Sequence, residues 1–302
     1  MEVNTSTNET TTFLGNIPKK EINTEIVEKA ALFLLFTILG LIVFIFGTSY
    51  YDRFATNTSG LFKLISSGVL LGLAIISGRY QNLKRYQPIL YAFFVASFVN
   101  VITWYFAIYA RDGLFDLLNI SIITVPGMTA AKLSEAMVTV ATILVLIKVF
   151  GDDLGSLFIR RGNLKWAMRI GVLALLNLTA TGFMVASFAG QDIDLIIHNL
   201  PWFVLFALAN GFMEEMWFRG LFLGRLQPHV GEGGALWMTS IWFGVMHIFA
   251  VYVSGTAALI FGVVTITLGL TFALVMQKTK TIWGATIFHS AADLHWFIAF
   301  GF

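Results

Sequence analysis

Long apolar runs dominate this chain, and their length decides what it can fold into. A helix needs about 20 residues to cross the roughly 30 Å hydrocarbon layer of a bilayer. Nine stretches approach that length between charges, Gly or Pro: 30–51, 61–77, 88–109, 130–150, 166–188, 195–222, 235–253, 256–276 and 281–302. A further apolar stretch, 114–125, is short and ends at Pro126 and Gly127, so it reads as an interfacial segment. With 57% hydrophobic residues, 12% charged residues and a mean hydropathy of +0.80, an ordinary soluble domain is excluded, since such domains carry about 25% charge. The expected fold is all-α, a polytopic membrane helical bundle of about nine transmembrane helices, integral and multi-pass, with the lipid bilayer as its main surroundings.

The basic residues suggest an orientation. With nine spans, all but four of the 19 Lys and Arg fall on one side, the exceptions being Arg53, Lys63, Arg111 and Lys132. Lys and Arg collect in short cytoplasmic loops, so the N-terminus is expected inside and the C-terminus outside. Three regions follow: a polar, flexible cytosolic tail at 1–29, transmembrane helices without a motif at 30–190, and a transmembrane region at 191–302 that carries the chain's motifs. The sequons at Asn4 and Asn8 would then lie in the cytosol, away from glycosylation. A net charge of +2, with no basic patch, gives no sign of nucleic acid as a partner. The Gly68 and Gly72 spacing suits close helix contacts and is assigned to packing within the bundle.

Ionisable groups in an apolar helix centre cost about 2.5 to 3.5 kcal/mol each on insertion scales, so each one demands a reason. Lys132 and Glu135, three apart near a helix end, read as a snorkelling surface pair. His295, beside Trp296, reads as interfacial, and His198 and His229 lie at helix ends. Glu214, His247 and His289 are different, because three helices bring them to similar depth: about 16, 18 and 14 Å from the cytosolic ends at roughly 1.5 Å per residue. Glu215 and Arg219 are four apart and can pair, leaving Glu214 free to face elsewhere. His289 and Asp293 share a face, as a carboxylate orienting an imidazole would. Phe243, one turn before His247, either walls the cluster from lipid or packs as an ordinary helix residue.

Hydrolysis within a membrane needs a nucleophile, a base and a stabiliser for the oxyanion. There are no cysteines and no HExxH motif. Only Asp293 lies inside a span, so an aspartyl dyad is missing, and Ser290 sits in a continuous helix rather than a Gly-rich turn. Water activated by glutamate remains. Glu214, Glu215, His247 and His289 could also supply ligands for zinc, but no tight ligand spacing argues for it. A cofactor-free mechanism is preferred, with a zinc-assisted one still open.

The sequence 214–219, EEMWFR, matches EExxxR, 243–247, FGVMH, matches FxxxH, and 289–293, HSAAD, matches an HxxxN/D pattern, in that order. On these motifs the chain resembles the CAAX protease and bacteriocin-processing (CPBP) family of intramembrane endopeptidases, which includes CAAX prenyl protease 2. The first five helices carry none of the resemblance. It implies a protease that cuts near the cytosolic face, in some members after a prenylated cysteine, so that a peptide or prenylated protein is the expected partner. It also implies that Glu214 and His247 activate water, that His289 and Asp293 stabilise the oxyanion, and that Glu215 with Arg219 braces the site. Asp293 departs from members with Asn, because an ionised Asp accepts hydrogen bonds but cannot donate one. It then serves the oxyanion only when protonated, and otherwise orients His289. Two rival functions fit the same residues: a proton-coupled transporter, and a catalytically silent scaffold. The transporter would show broken helices or paired repeats, which are not evident. The oligomeric state is not legible.

Overall fold

Lipid offers no water to a peptide group, so each apolar run must close its hydrogen bonds within itself, as a helix does. The structure, a computed structural model, describes residues 24–48, 59–251 and 255–301. Most of the polar tail, both sequons and Arg53 lie outside the described residues. Nine long helices are described: α1 (Thr24–Leu41), α2 (Ser59–Arg79), α3 (Gln87–Leu118), α4 (Val125–Val149), α5 (Leu164–Phe188), α6 (Ile193–Glu214), α7 (Leu223–Val251), α8 (Thr256–Thr279) and α9 (Trp283–Phe300). Eight of them are long and apolar enough to cross a membrane. The ninth, α9, carries His289, Asp293 and His295, which lowers its apolarity. The chain is thus an all-α, multi-pass membrane protein, with large apolar side chains such as Leu173, Leu176, Phe188 and Leu259 on its outside.

Several boundaries differ from the sequence reading, for local reasons. Helix α1 begins at Thr24, inside the stretch assigned to the tail. The 114–125 stretch is not one interfacial segment. Helix α3 runs on to Leu118, Asn119 ends it in the left-handed region, and the Thr124 side chain caps α4 by accepting from Gly127 N (3.1 Å). Pro126 sits in the first turn of α4, where a missing N–H does no harm, so it opens a helix rather than closing a segment. Helix α7 is two helical pieces that meet at Gly231, whose φ of 76° is open to a residue without Cβ, and the second piece holds the stretch expected from Ala235. The run from α1 widens into a π-helical turn at Ile42–Phe46, where Asn100 of α3 donates to Val43 O (2.9 Å).

Helix α9 is enclosed by α5, α6 and α8, while α7 packs on α8 and α1, and α4 joins α6 to the α2–α3 pair. The closest of these packings is α5 on α9. A Cβ at Gly284 would stand 2.8 Å from the Cα and carbonyl oxygen of Ala167, so the two backbones touch. Close approach of this kind drives helix association where lipid removes any hydrophobic gain. Among the described residues Gly68 and Gly72 do not serve this purpose, because a Cβ at either would meet nothing within 4 Å there. Overpacking typically costs about 1–3 kcal/mol. Gly284→Leu is therefore expected to lower the thermal unfolding temperature in detergent clearly, with Gly68→Leu close to wild type.

Candidate active site

The three motifs meet where α6, α7 and α9 face one another. Helix α6 does not continue as an α-helix through its glutamates; residues Glu215–Gly220 form a π-helical turn, with Leu221 N donating to Met216 O (3.0 Å). Adjacent residues of an α-helix point about 100° apart. Across this wider turn both glutamates reach the same imidazole from opposite sides. Glu215 Oε1 is 2.8 Å from His289 Nδ1, and Glu214 Oε2 is 3.6 Å from His289 Nε2. Single-turn π insertions are frequent at functional sites for this kind of re-aiming.

Glu215 is fully buried, and so is Arg219, whose Nη1 donates to Glu215 Oε1 at 2.9 Å. The guanidinium carbon lies 4.3 Å from the Phe243 ring centre and 5.7 Å from those of Phe218 and Phe272, an aromatic enclosure that suits a desolvated cation. Gly269 of α8 leaves the room for it: a Cβ there would stand 2.8 Å from Arg219 Nη2. Phe243 also lies against His247 (4.1 Å between ring centres) and meets His289 edge-on (5.4 Å), so it forms an inner wall of the site. Phe272 stacks on His289 at 4.7 Å.

Hydrogen bonding assigns the imidazole nitrogens. His247 Nδ1 is 2.8 Å from the Phe243 carbonyl, which only accepts, so Nδ1 carries a proton and neutral His247 presents a bare Nε2. That Nε2 is 3.7 Å from Glu214 Oε2. His289 Nδ1 likewise donates to the Glu215 carboxylate. Both Nε2 atoms therefore face Glu214 Oε2, a buried oxygen with no hydrogen-bond partner among the described residues. At 3.6 and 3.7 Å these are not direct hydrogen bonds. Asp293 Oδ1 is 3.8 Å from His289 Nε2, and its Oδ2 accepts from Asn210 Nδ2 at 2.9 Å.

The structure thus brings together Glu214, Glu215, Arg219, Phe243, His247, His289 and Asp293. Sequence reasoning missed Asn210, although a lone Asn one turn before Glu214 in an apolar helix was a readable signal. It missed Phe272 too, which one phenylalanine among 29 gives no means to single out. Two other readings change. Lys132 and Glu135 are not a lipid-facing pair: they bond at 2.7 Å, and the Lys132 side chain is only 15% exposed and lines the cavity beside His247 and Asp293. His295 is a packing residue whose Nδ1 lies 2.9 Å from Leu178 O of α5. Among the described residues no group of three or more His, Cys, Asp or Glu is placed to hold a metal ion. Glu215, one of the four candidate ligands, is already shared between Arg219 and His289. The arrangement does not fit zinc.

Fold and site together define a multi-pass membrane protein with a buried glutamate–histidine cluster of the kind that can move protons. Residues 196–295 match the family model Rce1-like, described as Type II CAAX prenyl endopeptidase Rce1-like, and this segment is a CAAX protease family domain. The match contains all three motifs and a third of the chain, leaving α1 to α5 outside it. No curated protein matches the chain, and no solved structure does.

Removing one partner of a buried ion pair typically costs about 3–5 kcal/mol, because the other charge is left without compensation. Arg219→Met is expected to destabilise the protein on that scale, and Glu215→Gln combined with Arg219→Met to recover part of the loss. Denaturation in mild detergent measures both; a double variant no better than the single would show that the two charges are not coupled.

Proposed function

We propose that this chain is an intramembrane endopeptidase in which Glu214 and His247 activate water. The observation that supports it most is the convergence of Glu214 Oε2 with the Nε2 atoms of His247 and His289 at 3.6 to 3.7 Å, within the segment that matches an endopeptidase family. Water has two protons to give, and Glu214 Oε2 and His247 Nε2 are both acceptors. Glu214 takes one proton as the water oxygen bonds to the scissile carbonyl carbon, and the carbonyl π electrons move onto its oxygen. His289, fixed through Nδ1 by Glu215, offers a protonated Nε2 to that oxyanion. When the tetrahedral species collapses, the C–N bond breaks, the carbonyl re-forms and Glu214 returns its proton to the leaving nitrogen, releasing an amine and a carboxylic acid; the acid then gives the second water proton to His247 Nε2 and leaves as a carboxylate.

Asp293 acts in this scheme as a positioning residue. One of its oxygens is engaged by Asn210 and the other stands beside His289, so both act as acceptors, and the oxyanion donor is His289. Glu215 and Arg219 hold His289 in register. Beside Glu214 lies a cavity of about 280 Å³ lined by Phe206, Phe243, Phe261, Phe272, Trp296 and Phe297 among others. Such walls suit an apolar or prenylated segment, and C-terminal processing of prenylated CAAX-type proteins is the substrate class proposed. The bias of basic residues toward one set of loops supports a site that opens to the cytosolic side.

Loss of a general base typically lowers rates about 10²- to 10⁴-fold. Glu214→Gln, nearly isosteric, is expected to lose cleavage of a lipidated peptide by that factor in the purified protein with its melting temperature retained. Unchanged cleavage would overturn the assignment. For Asp293→Asn we expect activity within about tenfold of wild type, since an amide oxygen still accepts from Asn210, while Asp293→Leu falls further. Equal loss in both variants would require the carboxylate itself.

A further inference from the structure

Helices α5 and α6 both pack on α9 but barely meet each other, which leaves an apolar groove between them. Its volume of about 510 Å³ is within the usual range of ligand sites. Leu176 and Ala180 of α5 and Leu208 of α6 stand at its sides, and Ile287, Ser290 and Leu294 of α9 form its floor. Apart from Ser290 and Thr179, the lining side chains are hydrocarbon. The groove shares no lining residue with the cavity beside Glu214. It lies behind the reaction cluster instead: Ser290 and Leu294 follow directly on His289 and Asp293 in α9.

Two of its walls change character along their length in the same way. On α5, Lys165, Arg169, Leu176 and Ala180 recur at helical spacing and share one face. Lys165 and Arg169 are exposed near the start of the helix, with the Arg169 guanidinium carbon 5.5 Å from the Trp166 ring centre. On α9, Trp283, Ile287, Ser290 and Leu294 share a face likewise. Trp283 stacks on Phe212 (5.7 Å between ring centres), and it stands at the same level as the basic pair because the backbones of Gly284 and Ala167 touch. The opposite end, where α5 stops and α6 begins, carries the exposed Asp192 and Asp194. Lys, Arg and Trp are the side chains that meet the headgroup level of an anionic leaflet. The rise from Arg169 to Ala180 equals that from Trp283 to Leu294, about 16 Å at roughly 1.5 Å per residue, close to half of the roughly 30 Å hydrocarbon layer. The groove therefore lies at the depth of an acyl tail whose headgroup reaches Lys165 and Arg169.

We infer that this groove is a binding site for an anionic phospholipid, with one acyl chain between α5 and α6 and the phosphate against Lys165 and Arg169. The inference does not depend on the protease reading. Charge selects both the occupant and its direction. A lipid inserted the other way would bring its phosphate to Asp192 and Asp194, whereas at the basic end the phosphate meets two cations in charge-assisted contacts. Once seated, the acyl chain lies against Ile287, Ser290 and Leu294 and supports α9 from behind, while His289 and Asp293 of the same helix face the cluster. Occupancy therefore stabilises the folded bundle and, through α9, the side that carries the reactive groups.

The test uses the full-length protein, delipidated in a neutral detergent and titrated with phosphatidylglycerol, with phosphatidylcholine of the same acyl chains, or with glycerol phosphate. Native mass spectrometry counts bound lipid, and thermal unfolding reads its effect. Phosphatidylglycerol is expected to persist as a one-to-one adduct and to raise the unfolding temperature, phosphatidylcholine to bind about tenfold or more weakly, and glycerol phosphate to shift nothing at the same concentration. Lys165→Gln or Arg169→Gln is expected to weaken phosphatidylglycerol about fivefold, and the two together roughly thirtyfold, the scale of one Lys or Arg at an anionic surface. Lys148→Gln, at an exposed lysine in the last turn of α4 on the same side of the bundle, is expected to change little. Ala180→Phe, at the exposed rim of the groove, is expected to weaken both phospholipids while leaving the basic pair in place. Equal binding of the two phospholipids by wild type overturns the inference, and this arm does not depend on any variant folding. So does a Lys148→Gln loss as large as that of Arg169→Gln, which would show general surface attraction. An affinity untouched by Ala180→Phe, or a shift by glycerol phosphate equal to that of the lipid, would refute the groove as the site.

Discussion

Everything in the site hangs on the compensation of one fully buried carboxylate. Glu215 has no access to water, and its Oε1 answers to two donors, Arg219 Nη1 at 2.9 Å and His289 Nδ1 at 2.8 Å. The first contact brings a cation into the bundle and the second fixes the face that His289 turns to Glu214. A buried pair of this kind is weak evidence for stability, since desolvation offsets much of the attraction. Its contribution is positional: Arg219 lies among three phenylalanine rings, Gly269 leaves room for the guanidinium, and His289 is clamped between Glu215 and the Phe272 face. The reactive arrangement around Glu214 inherits its geometry from that anchor.

The π turn follows from the same constraint. Two neighbouring glutamates in an apolar helix would diverge, and one would meet lipid at several kcal/mol. Widening the turn over Glu215–Gly220 keeps both inside. The bundle accommodates the distortion because α9 lies close on α5 and is enclosed by α6 and α8, so the imidazole arrives opposite the widened turn. The widened turn in the helix and the close packing around it are two sides of one arrangement.

Much of the fold was legible because lipid leaves so few choices: long apolar runs became helices at nearly the expected places. The failures came where the signal was local. Pro126 reads equally as the end of one segment or the first turn of another, and only the Thr124 cap decides. The cluster of Glu214, His247 and His289 was legible from depth alone, since a charge in lipid needs a reason. The Lys132–Glu135 pair was misread because proximity to a helix end was taken as access to the interface, whereas both side chains line cavities inside the bundle. Which nitrogen of each histidine carries a proton could not be read, since it depends on the Phe243 carbonyl and on Glu215 across the helix interface.

In the proposed reaction Glu214 and His247 activate water at a peptide bond held within the membrane. The measurement that bears on it most directly is mass spectrometry of a lipidated peptide incubated with the purified, reconstituted protein in isotopically heavy water. The predicted result is two fragments, the upstream one carrying a single solvent oxygen in its new carboxyl group. A peptide that stays intact in the presence of folded protein would contradict the account.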